Sequence, residues 1–404
     1  MDKLYIPNYS VFLPGTQDSI WVYGGKGSTK KQAKASGLME SIERFCSLSS
    51  NYSNNYISGT HTELSKSNRK VVHPDEVIEP TVSGYDPECS VIDHVKAYDL
   101  QNNYEVLVPA QLVFSKYSAK NKSSYAFLYS HTNGLASGNT LEEAVCHALY
   151  EIIERDAVSI ADLCSSAIPF TELKNTNKQI VPEEEFVDDS SLFQEVDITE
   201  GIGDYEPLRF LVEKFSIAGL HLLIKDITQK DTGIPTFVAS CVESITSDYG
   251  YYAKGYGTHL DTRIALVRAI TELSQTRAGN IQGARDDLRK IQYRENDEIY
   301  KRKWEFMPAS SLRGNNSNHI SFSEIKKYVI LDILDEIKFI LNRLKRAQLK
   351  RAIIVNLTNP SIGIPVVRAV VPGLETYEIA KLFTNKELYM GNRAKSQYKK
   401  LRRR

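Results

Sequence analysis

The chain has 404 residues, and its 50 lysines and arginines balance 50 aspartates and glutamates, so its formal net charge is zero. That balance argues against a nucleic-acid-binding or membrane-surface protein, although the chain ends in a basic tail, "KKLRRR". No stretch is apolar for long enough to span a bilayer, and no signal peptide is visible, so we predict a cytoplasmic protein. The five cysteines lie scattered without metal-ligand spacing, which favours reduced thiols and disfavours zinc.

Short apolar runs predict strands, and longer periodic runs between them predict helices. In chain order, the predicted strands are "SIWVYGG", "YEVLVPAQLVF", "HLLIKDI", "IPTFVASCV", "RAIIVNLT" and "IPVVRAVVPG". The predicted helices cover residues 30–47, 141–162, 261–279 and 322–349. The acidic stretch "PEEEFVDDSS" at 182–191 indicates a surface loop or a solvated helix. No linker rich in proline, glycine or serine divides the chain, and the mixture of elements predicts an α/β or α+β fold.

The first predicted helix follows a glycine-rich stretch, "GGKGSTKKQAKASGLMESIERF", that looks at first like a phosphate-binding loop. The Walker pattern requires a glycine five positions before a Gly-Lys pair, and a serine or threonine directly after that pair. Here Gly27 follows Gly25 and Lys26, and position 20 is isoleucine. The stretch is therefore not a Walker loop.

A pattern of glycine, capping residue and helix occurs three times, beginning at Gly27, Gly138 and Gly257. In the first copy, Thr29 and Gln32 predict a capping box, in which each side chain bonds the other residue's main-chain N–H. The second copy repeats the box with Thr140 and Glu143, the third has the cap Asp261, and an alanine follows each cap by four residues: Ala33, Ala144 and Ala265.

Each of the three helices also carries polar residues in one common register. Positions separated by four and seven residues lie within about 60° on a helix, so each helix presents a single polar stripe. Because the three copies are spread along the chain as far as Arg277, they favour one composite unit over separate domains. The stripes consist of Ser36, Glu40 and Glu43; His147, Glu151 and Glu154; and Arg268, Glu272 and Gln275.

Two interpretations of these stripes are open. Glutamates opposite an apolar face are usually solvated, and Glu40–Arg44 and Glu151–Arg155 have the spacing of ordinary surface ion pairs. However, glutamates three residues apart repel each other unless a cation lies between them, and solvated faces have no reason to share a register. Carboxylates attract hard cations and helix N-termini attract phosphates, so the repeated pattern favours an ATP–Mg²⁺ site built from three helices.

Three segments carry a resemblance to a known family: "GKGSTKKQAKASGLMESIERF", "TNGLASGNTLEEAVCHALYEIIERDA" and "RAITELSQTR". They strongly resemble the signatures of the YcaO superfamily, and the resemblance extends from Gly24 to about Glu375. It implies a single composite YcaO-type domain at 24–375 in which three capped helices converge on an ATP–Mg²⁺ site. An N-terminal segment, 1–23, precedes this domain and a basic C-terminal tail, 376–404, follows it. Such proteins use ATP and Mg²⁺ to activate a backbone amide of a peptide or protein.

The resemblance also implies roles for individual residues. For Lys26, the alternative to a role in the nucleotide site is a solvated loop residue. For Arg44, the alternative is that it only orients Glu40. His147 is either a polar neighbour of the nucleotide or a packing residue, and we favour packing. The implied Mg²⁺ ligands are Glu40, Glu43, Glu151 and Glu154, the implied catalytic residues are Glu40, Glu151 and Gln275, and the implied nucleotide site comprises Lys26, Ser36, Arg44, Arg155, Glu272 and Gln275.

The mechanism that the resemblance implies is nucleophilic attack on the amide carbonyl, with transfer of a phosphoryl group from ATP to the carbonyl oxygen. A Cys, Ser or Thr side chain as nucleophile gives an azoline ring, whereas sulfide gives a thioamide. YcaO cyclodehydratases commonly end in a proline-rich tail, but no proline follows Pro372 here, and the signatures begin too early for a fused peptide-recognition domain. We therefore expect thioamide formation.

The overall plan resembles stand-alone, TfuA-associated YcaO proteins of methanogenic archaea, which thioamidate a glycine in the α subunit of methyl-coenzyme M reductase. The partners implied are a peptide or protein substrate, sulfide or a sulfur-delivery protein, and a TfuA-like protein, and a homodimer is compatible with them. Three alternatives stay open: an azoline-forming cyclodehydratase, an ATP-dependent carboxylate–amine ligase, and a nucleotide-sensing scaffold without turnover.

Overall fold

The computed structural model describes residues 2–18, 20–52, 56–77, 85–117, 131–165, 193–198, 201–241, 253–282 and 319–375, together with Arg393 and Ser396. The acidic stretch 182–191 and the tail "KKLRRR" lie outside these residues. The helices are α1 (Lys30–Cys46), α2 (His61–Lys66), α3 (Leu141–Ser165), α4 (Glu206–Ile217), α5 (Thr262–Gln282) and α6 (Ile333–Arg346). The strands are β1 (Asn8–Phe12), β2 (Val22–Lys26), β3 (Ile57–Gly59), β4 (Ile92–Asp99), β5 (Tyr104–Pro109), β6 (Leu135–Ser137), β7 (Glu195–Asp197), β8 (Leu223–Asp226), β9 (Thr236–Cys241), β10 (Ala253–Thr258), β11 (His319–Ser321), β12 (Ile353–Asn356) and β13 (Val366–Val370).

The described strands form three sheets. The hairpin β1–β2 is a sheet of its own, a five-stranded sheet has the order β10-β9-β8-β7-β11, and a six-stranded sheet has the order β3-β4-β12-β13-β6 with β5 paired to β4. The described strand pairs are antiparallel except β11 with β7. Helices and largely antiparallel sheets occur together, which confirms the mixed fold class and makes α+β the more accurate of its two descriptions.

The six predicted strands each overlap an observed strand, while seven of the thirteen described strands were not predicted. The predicted helices at 30–47, 141–162 and 261–279 correspond to α1, α3 and α5. The predicted helix at 322–349 is wrong in its first part, because residues 322–324 form a 3₁₀ turn and residues 325–332 are not helical. Helix α6 begins only at Ile333, after Asp332 accepts hydrogen bonds from the main-chain N–H groups of Leu334 and Asp335. Tyr328 and Ile330 pack inward with a period of two, which is the spacing of a strand.

The three helices of the repeat pack against different sheets. Helix α1 contacts β1, β2 and β6, helix α3 contacts β6 and β13, and helix α5 contacts β10, β9 and β2. Helix α3 also touches β10 of the five-stranded sheet. The two larger sheets are thus connected through the same three helices that carry the polar stripes. None of the described helices is both long and apolar enough to cross a membrane.

The glycine and alanine of each repeat touch each other. A Cβ atom on Gly257 would lie 2.0 Å from the carbonyl oxygen of Ala265, so only glycine allows strand β10 to approach helix α5 this closely. Each alanine is completely buried. The same contact occurs in the other copies, where a Cβ on Gly27 would lie 2.6 Å from the nitrogen of Ala33, and one on Gly138 would lie 2.4 Å from the nitrogen of Ala144.

The predicted helix caps are present with one difference. Thr29 and Gln32 form the complete capping box. In the second copy, Thr140 accepts a hydrogen bond from the Glu143 N–H, but the Glu143 carboxylate bonds the side chain and N–H of Asn139 instead of the Thr140 N–H. The second box is therefore shifted by one residue. The third cap, Asp261, accepts a hydrogen bond from the main chain two residues later.

We expect Gly257→Ala to lower the free energy of unfolding by about 1–3 kcal/mol, because the new methyl group overpacks the β10–α5 contact. The matched control is Gly279→Ala in α5, where an added Cβ meets no atom within 4 Å. That control should be neutral or stabilise by up to about 1 kcal/mol, since alanine is the better helix former. Urea unfolding of both variants measures the difference, and equal midpoints would contradict the close-approach argument.

Candidate active site

The three polar stripes face one cavity of about 1210 Å³. The turn that precedes α1 and the turn that precedes α3 also contribute to its wall. The stripes therefore point toward one another and not separately into bulk solvent. Every residue predicted for the site lines this cavity: Lys26, Ser36, Glu40, Glu43, Arg44, Glu151, Glu154, Arg155, Glu272 and Gln275.

Glu43 lies at the contact between α1 and β6. Its carboxylate accepts hydrogen bonds from the main-chain N–H of Ser137 at 2.8 Å and from the Ser137 hydroxyl at 2.7 Å. Burial, together with the nearby charges of Glu40 and Glu151, raises the pKa of Glu43 to about 7. The fold thus holds this acid in place while making its negative charge costly.

Glu154 is the most deeply enclosed acid of the cavity, with only 2% of its surface exposed. Its Oε2 atom is buried and has no hydrogen-bond partner among the described residues. Burial raises the pKa of Glu154 to about 7, and the charges of Glu272 and Glu151 contribute to the same shift. Arg155 lies 3.8 Å from the other carboxylate oxygen, which is too far for a hydrogen bond. A buried carboxylate oxygen without a partner is a position that a cation would satisfy.

Two ion pairs balance part of this negative charge. Arg155 bonds Glu151 with its Nε at 2.9 Å, so the predicted pair on α3 forms, but on the cavity wall and not on an outer surface. Lys26 of β2 pairs with Glu272 of α5, whose other oxygen accepts a hydrogen bond from the Tyr256 N–H at 3.3 Å. Burial alone would raise the pKa of Glu272, but Lys26 and Arg155 outweigh it and hold that pKa below its usual range.

Arg44 lines the cavity, but its guanidinium is bound at two points to Asp18, at 2.8 Å and 2.9 Å. The two-point ion pair fixes the loop before β2 onto α1. Sequence reasoning could not identify Asp18 as the partner, because no motif marks it.

His147 was expected to be a packing residue, and this expectation is wrong. Its side chain is accessible from the cavity, and its Nε2 lies 3.1 Å from the Nη2 of Arg268. Loss of hydration among the surrounding protein atoms, together with the charge of Arg268, lowers the pKa of His147 to about 3. The imidazole is therefore neutral and accepts this hydrogen bond. Arg268 was missing from the predicted site, although its position in the third stripe was a signal that could have found it.

The residues present fit a magnesium-bound polyphosphate. No three His, Cys, Asp or Glu side chains in the described part of the chain are arranged as a compact metal cluster. Mg²⁺ is usually held by one or two carboxylates, with phosphate and water oxygens completing its coordination. The acids of the cavity, above all the unsatisfied Glu154, offer such carboxylates beside the helix N-termini that attract phosphates.

Comparison with known proteins agrees with this chemistry. Residues 24–375 match the family described as YcaO cyclodehydratase, ATP- and Mg²⁺-binding. Since this match covers most of the chain, the protein belongs to the YcaO family. The expected cofactors, ATP and Mg²⁺, are therefore confirmed at the level of the family.

Two relatives match over almost the whole chain. A protein of Methanothermobacter thermautotrophicus is 30% identical over 399 residues, which cover 94% of this chain and 88% of the relative. A protein encoded in the tfuA 3′ region of Rhizobium leguminosarum bv. trifolii is 27% identical over 386 residues, which cover 93% of this chain and 81% of the relative.

Solved structures show the same fold. The YcaO protein of Methanopyrus kandleri, bound with AMPPCP and Mg²⁺, has a TM-score of 0.67 at 20% identity, covering 96% of this chain and 90% of that one. A heterocyclase in complex with substrate and cofactor has a TM-score of 0.66 at 22% identity, covering 88% of this chain. This chain spans only 45% of the heterocyclase's length.

We expect Glu154→Gln to raise the melting temperature of the ligand-free protein at pH 8, by an amount equivalent to on the order of 1 kcal/mol. The pKa of Glu154 is raised from 4.5 to about 7 on folding. The ionised carboxylate therefore destabilises the folded protein little near pH 5 and to its full extent only above pH 7. The gain should therefore be much smaller at pH 5. The control, Glu213→Gln on the exposed face of α4, should leave the melting temperature unchanged at both pH 8 and pH 5. Destabilisation by Glu154→Gln at pH 8 would contradict the unsatisfied-carboxylate argument.

Proposed function

We propose that this protein converts a peptide-bond amide of a peptide or protein into a thioamide, using ATP, Mg²⁺ and sulfide. The observation that carries the proposal is the convergence of the three stripes on one cavity. This cavity contains a buried Glu154 oxygen that has no hydrogen-bond partner among the described residues. Similarity to the methanogen protein and to the protein from the tfuA region, each over most of its length, supports the thioamide product.

The proposed reaction balances without another reactant. Hydrosulfide adds to the amide carbon, and the carbonyl oxygen takes the terminal phosphoryl group of the co-substrate ATP. The carbon–oxygen bond then breaks as phosphate leaves, which restores the double bond as C=S. The products are the thioamide, ADP and phosphate, and the proton of hydrosulfide leaves with the phosphate.

The chain's own residues position the reactants and neutralise charge, which is most of what a phosphoryl transfer requires. When bound, Mg²⁺ supplies compensation for the charge of the triphosphate. In this proposal Glu40, Glu43, Glu151 and Glu154 hold the cation, and Arg155 keeps Glu151 in place through its ion pair. The nucleotide lies against Lys26, Ser36, Glu272 and Gln275, to which we add Arg268, and Gln275 with Glu40 and Glu151 lies nearest the reacting groups.

We also propose the extent of the catalytic unit, residues 24–375, and a supporting role for parts of the flanking segments. Strand β1, within segment 1–23, pairs with β2 and contributes side chains to the cavity. Arg393, within segment 376–404, is bound to Asp156 of α3 at 2.9 Å and pairs with Asp231. Strand β1 and Arg393 therefore brace the elements that carry the site.

The substrate proposed from the family resemblance is a glycine in the α subunit of methyl-coenzyme M reductase. A TfuA-like partner and a sulfur-delivery protein belong to the same proposal. The relative encoded in the tfuA region supports the TfuA-like partner, because neighbouring genes often encode proteins that act together.

A second candidate is azoline formation on a Cys, Ser or Thr side chain of a peptide. The family's description as a cyclodehydratase and the fold shared with a heterocyclase favour it. The two candidates use the same ATP–Mg²⁺ site and differ only in the nucleophile. An azoline product requires the loss of water from the peptide, whereas a thioamide requires the exchange of oxygen for sulfur.

The experiment combines the purified protein with ATP, Mg²⁺, sulfide and a glycine-containing peptide that lacks Cys, Ser and Thr, followed by mass spectrometry. We expect an oxygen-to-sulfur mass change that depends on ATP and on sulfide. Glu40→Ala and Glu154→Ala should each lower the rate by at least about 100-fold, since each removes a charged group from the phosphoryl-transfer site. Glu213→Ala, on an exposed helix face, is the control and should retain full activity.

The outcomes separate the alternatives. Loss of water on a peptide that contains Cys, Ser or Thr, without sulfur incorporation, would establish the cyclodehydratase instead. Release of an acyl phosphate or an amide-coupled product would indicate a carboxylate–amine ligase, and binding of ATP without turnover would indicate a scaffold. Adding a TfuA-like protein from the same genome tests whether the partner is required for the sulfur transfer.

A further inference from the structure

Strand β2 borders the cavity with the edge that faces away from β1. Val22, Tyr23 and Gly24 all line the cavity, although successive residues of a strand point to opposite faces. Consecutive residues share one neighbouring space where that space runs along the edge of their strand. We call the main-chain groups of residues 22–24 that point away from β1 the β2 edge.

The hydrogen-bond pattern of the hairpin determines which main-chain groups point outward. Leu13 donates its N–H to the carbonyl of Trp21 at 3.0 Å, so these two residues form a hydrogen-bonded pair. In an antiparallel ladder, such pairs alternate with pairs whose N–H and C=O groups point away from the partner strand. The register places Val22 and Gly24 in pairs of the second kind. Val22 and Gly24 therefore each direct an N–H and a C=O group away from β1.

These outward groups are available to another chain. Within the described residues, they have no main-chain hydrogen-bond partner, and Val22 and Gly24 are only half-buried. Strand β1 also has an outer edge, but Tyr9, Ser10 and Phe12 on it are exposed, so the β2 edge is the more enclosed of the two. Main-chain groups at a free strand edge are satisfied by water or by an added strand.

The cavity is large enough for a chain segment beside a nucleotide. Its volume of about 1210 Å³ exceeds the range of about 300–1,000 Å³ that is usual for a single small ligand. Gly24 also lies directly against the side chain of Gln275, since a Cβ atom on Gly24 would be 2.0 Å from the Gln275 Nε2. The β2 edge is thus continuous with the wall that carries the polar stripes.

We propose that the β2 edge is the docking site of the substrate, where an extended segment of the peptide adds to β2 as a third strand. The inference rests on the proposed function only in that a main-chain amide of a peptide reacts, and it is the same for a thioamide and for an azoline product. An enzyme that acts on a main-chain amide must hold the main chain itself, and strand addition does so through hydrogen bonds that every residue type offers.

Strand addition also determines how the reacting residue is oriented. Successive residues of an added strand direct their N–H and C=O groups alternately toward and away from the neighbouring strand. The reacting carbonyl oxygen must be free to take a phosphoryl group, so its residue points away from β2. The residues immediately before and after it then bond Val22 and Gly24.

The first test measures the binding of a fluorescently labelled glycine-containing peptide without Cys, Ser or Thr, in the presence of AMPPCP and Mg²⁺ to prevent turnover. N-methylation of the residue before or after the glycine should raise the dissociation constant by about 10-fold or more, because it removes an N–H that bonds β2. N-methylation of the glycine, or of residues two positions from it, should raise the constant by less than about 3-fold. Equal effects at both sets of positions, or no binding of the unmodified peptide, would overturn the proposal.

The second test removes a donor from the protein. Val22→Pro deletes an outward N–H without deleting a hydrogen bond to β1, and it should raise the dissociation constant of the peptide by about 5-fold or more. Val22→Ala keeps this N–H and should recover most of the affinity. Phe12→Pro deletes the outward N–H of the directly opposite residue on β1 and should weaken binding less than Val22→Pro does. The reverse order would assign the peptide to β1 and reject the β2 edge.

Two further measurements complete the design. The affinity for AMPPCP should fall less than that for the peptide in Val22→Pro, and a larger fall would show that the edge serves the nucleotide instead. Circular dichroism verifies that each variant is folded, and the N-methylated peptides decide the question on the unchanged chain if Val22→Pro does not fold. Alternating effects of methylation without sulfur incorporation would support the docking site and reject thioamidation, whereas sulfur incorporation without alternation would do the reverse.

Discussion

The placement of several carboxylates in one enclosed cavity is the constraint on which the rest of the site depends. Burial and mutual repulsion raise the pKa of both Glu43 and Glu154 to about 7, so their charged forms are costly in the folded protein. Close contacts elsewhere offset this free-energy cost, because they fix the helices that carry the acids. The glycine–alanine contacts at the start of each helix are examples, since they bring turn and helix nearer than any other residue would allow.

The positive groups are arranged so that the negative charge is only partly balanced. Arg155 is committed to Glu151, Lys26 to Glu272 and Arg44 to Asp18. Glu154 keeps an oxygen without a partner in the described part of the chain. A site of this kind is stable enough to fold and still favours a divalent cation, because the cation removes a repulsion that the protein does not remove itself.

Membership in the YcaO family establishes ATP and Mg²⁺ binding, while the product depends on which nucleophile reaches the activated amide. The phosphoryl-transfer machinery proposed for the cavity is the same for sulfide and for a substrate side chain. In the proposed reaction, the acids and ion pairs of the wall serve to activate the amide and do not select the nucleophile.

The sequence by itself determined the three capped helices, the polar stripes and the family, because caps, helical periodicity and motif spacing are local properties of the chain. It predicted six of the thirteen described strands and assigned residues 322–332 to a helix, since their apolar pattern does not reveal that Tyr328 and Ile330 pack with a period of two. Only the tertiary structure decided that His147 faces Arg268 on the cavity wall, that Arg44 is bound to Asp18 and that Glu43 is held by Ser137. Each of these contacts joins residues from different elements, and such pairings are fixed by how helices and sheets pack, which no local pattern encodes.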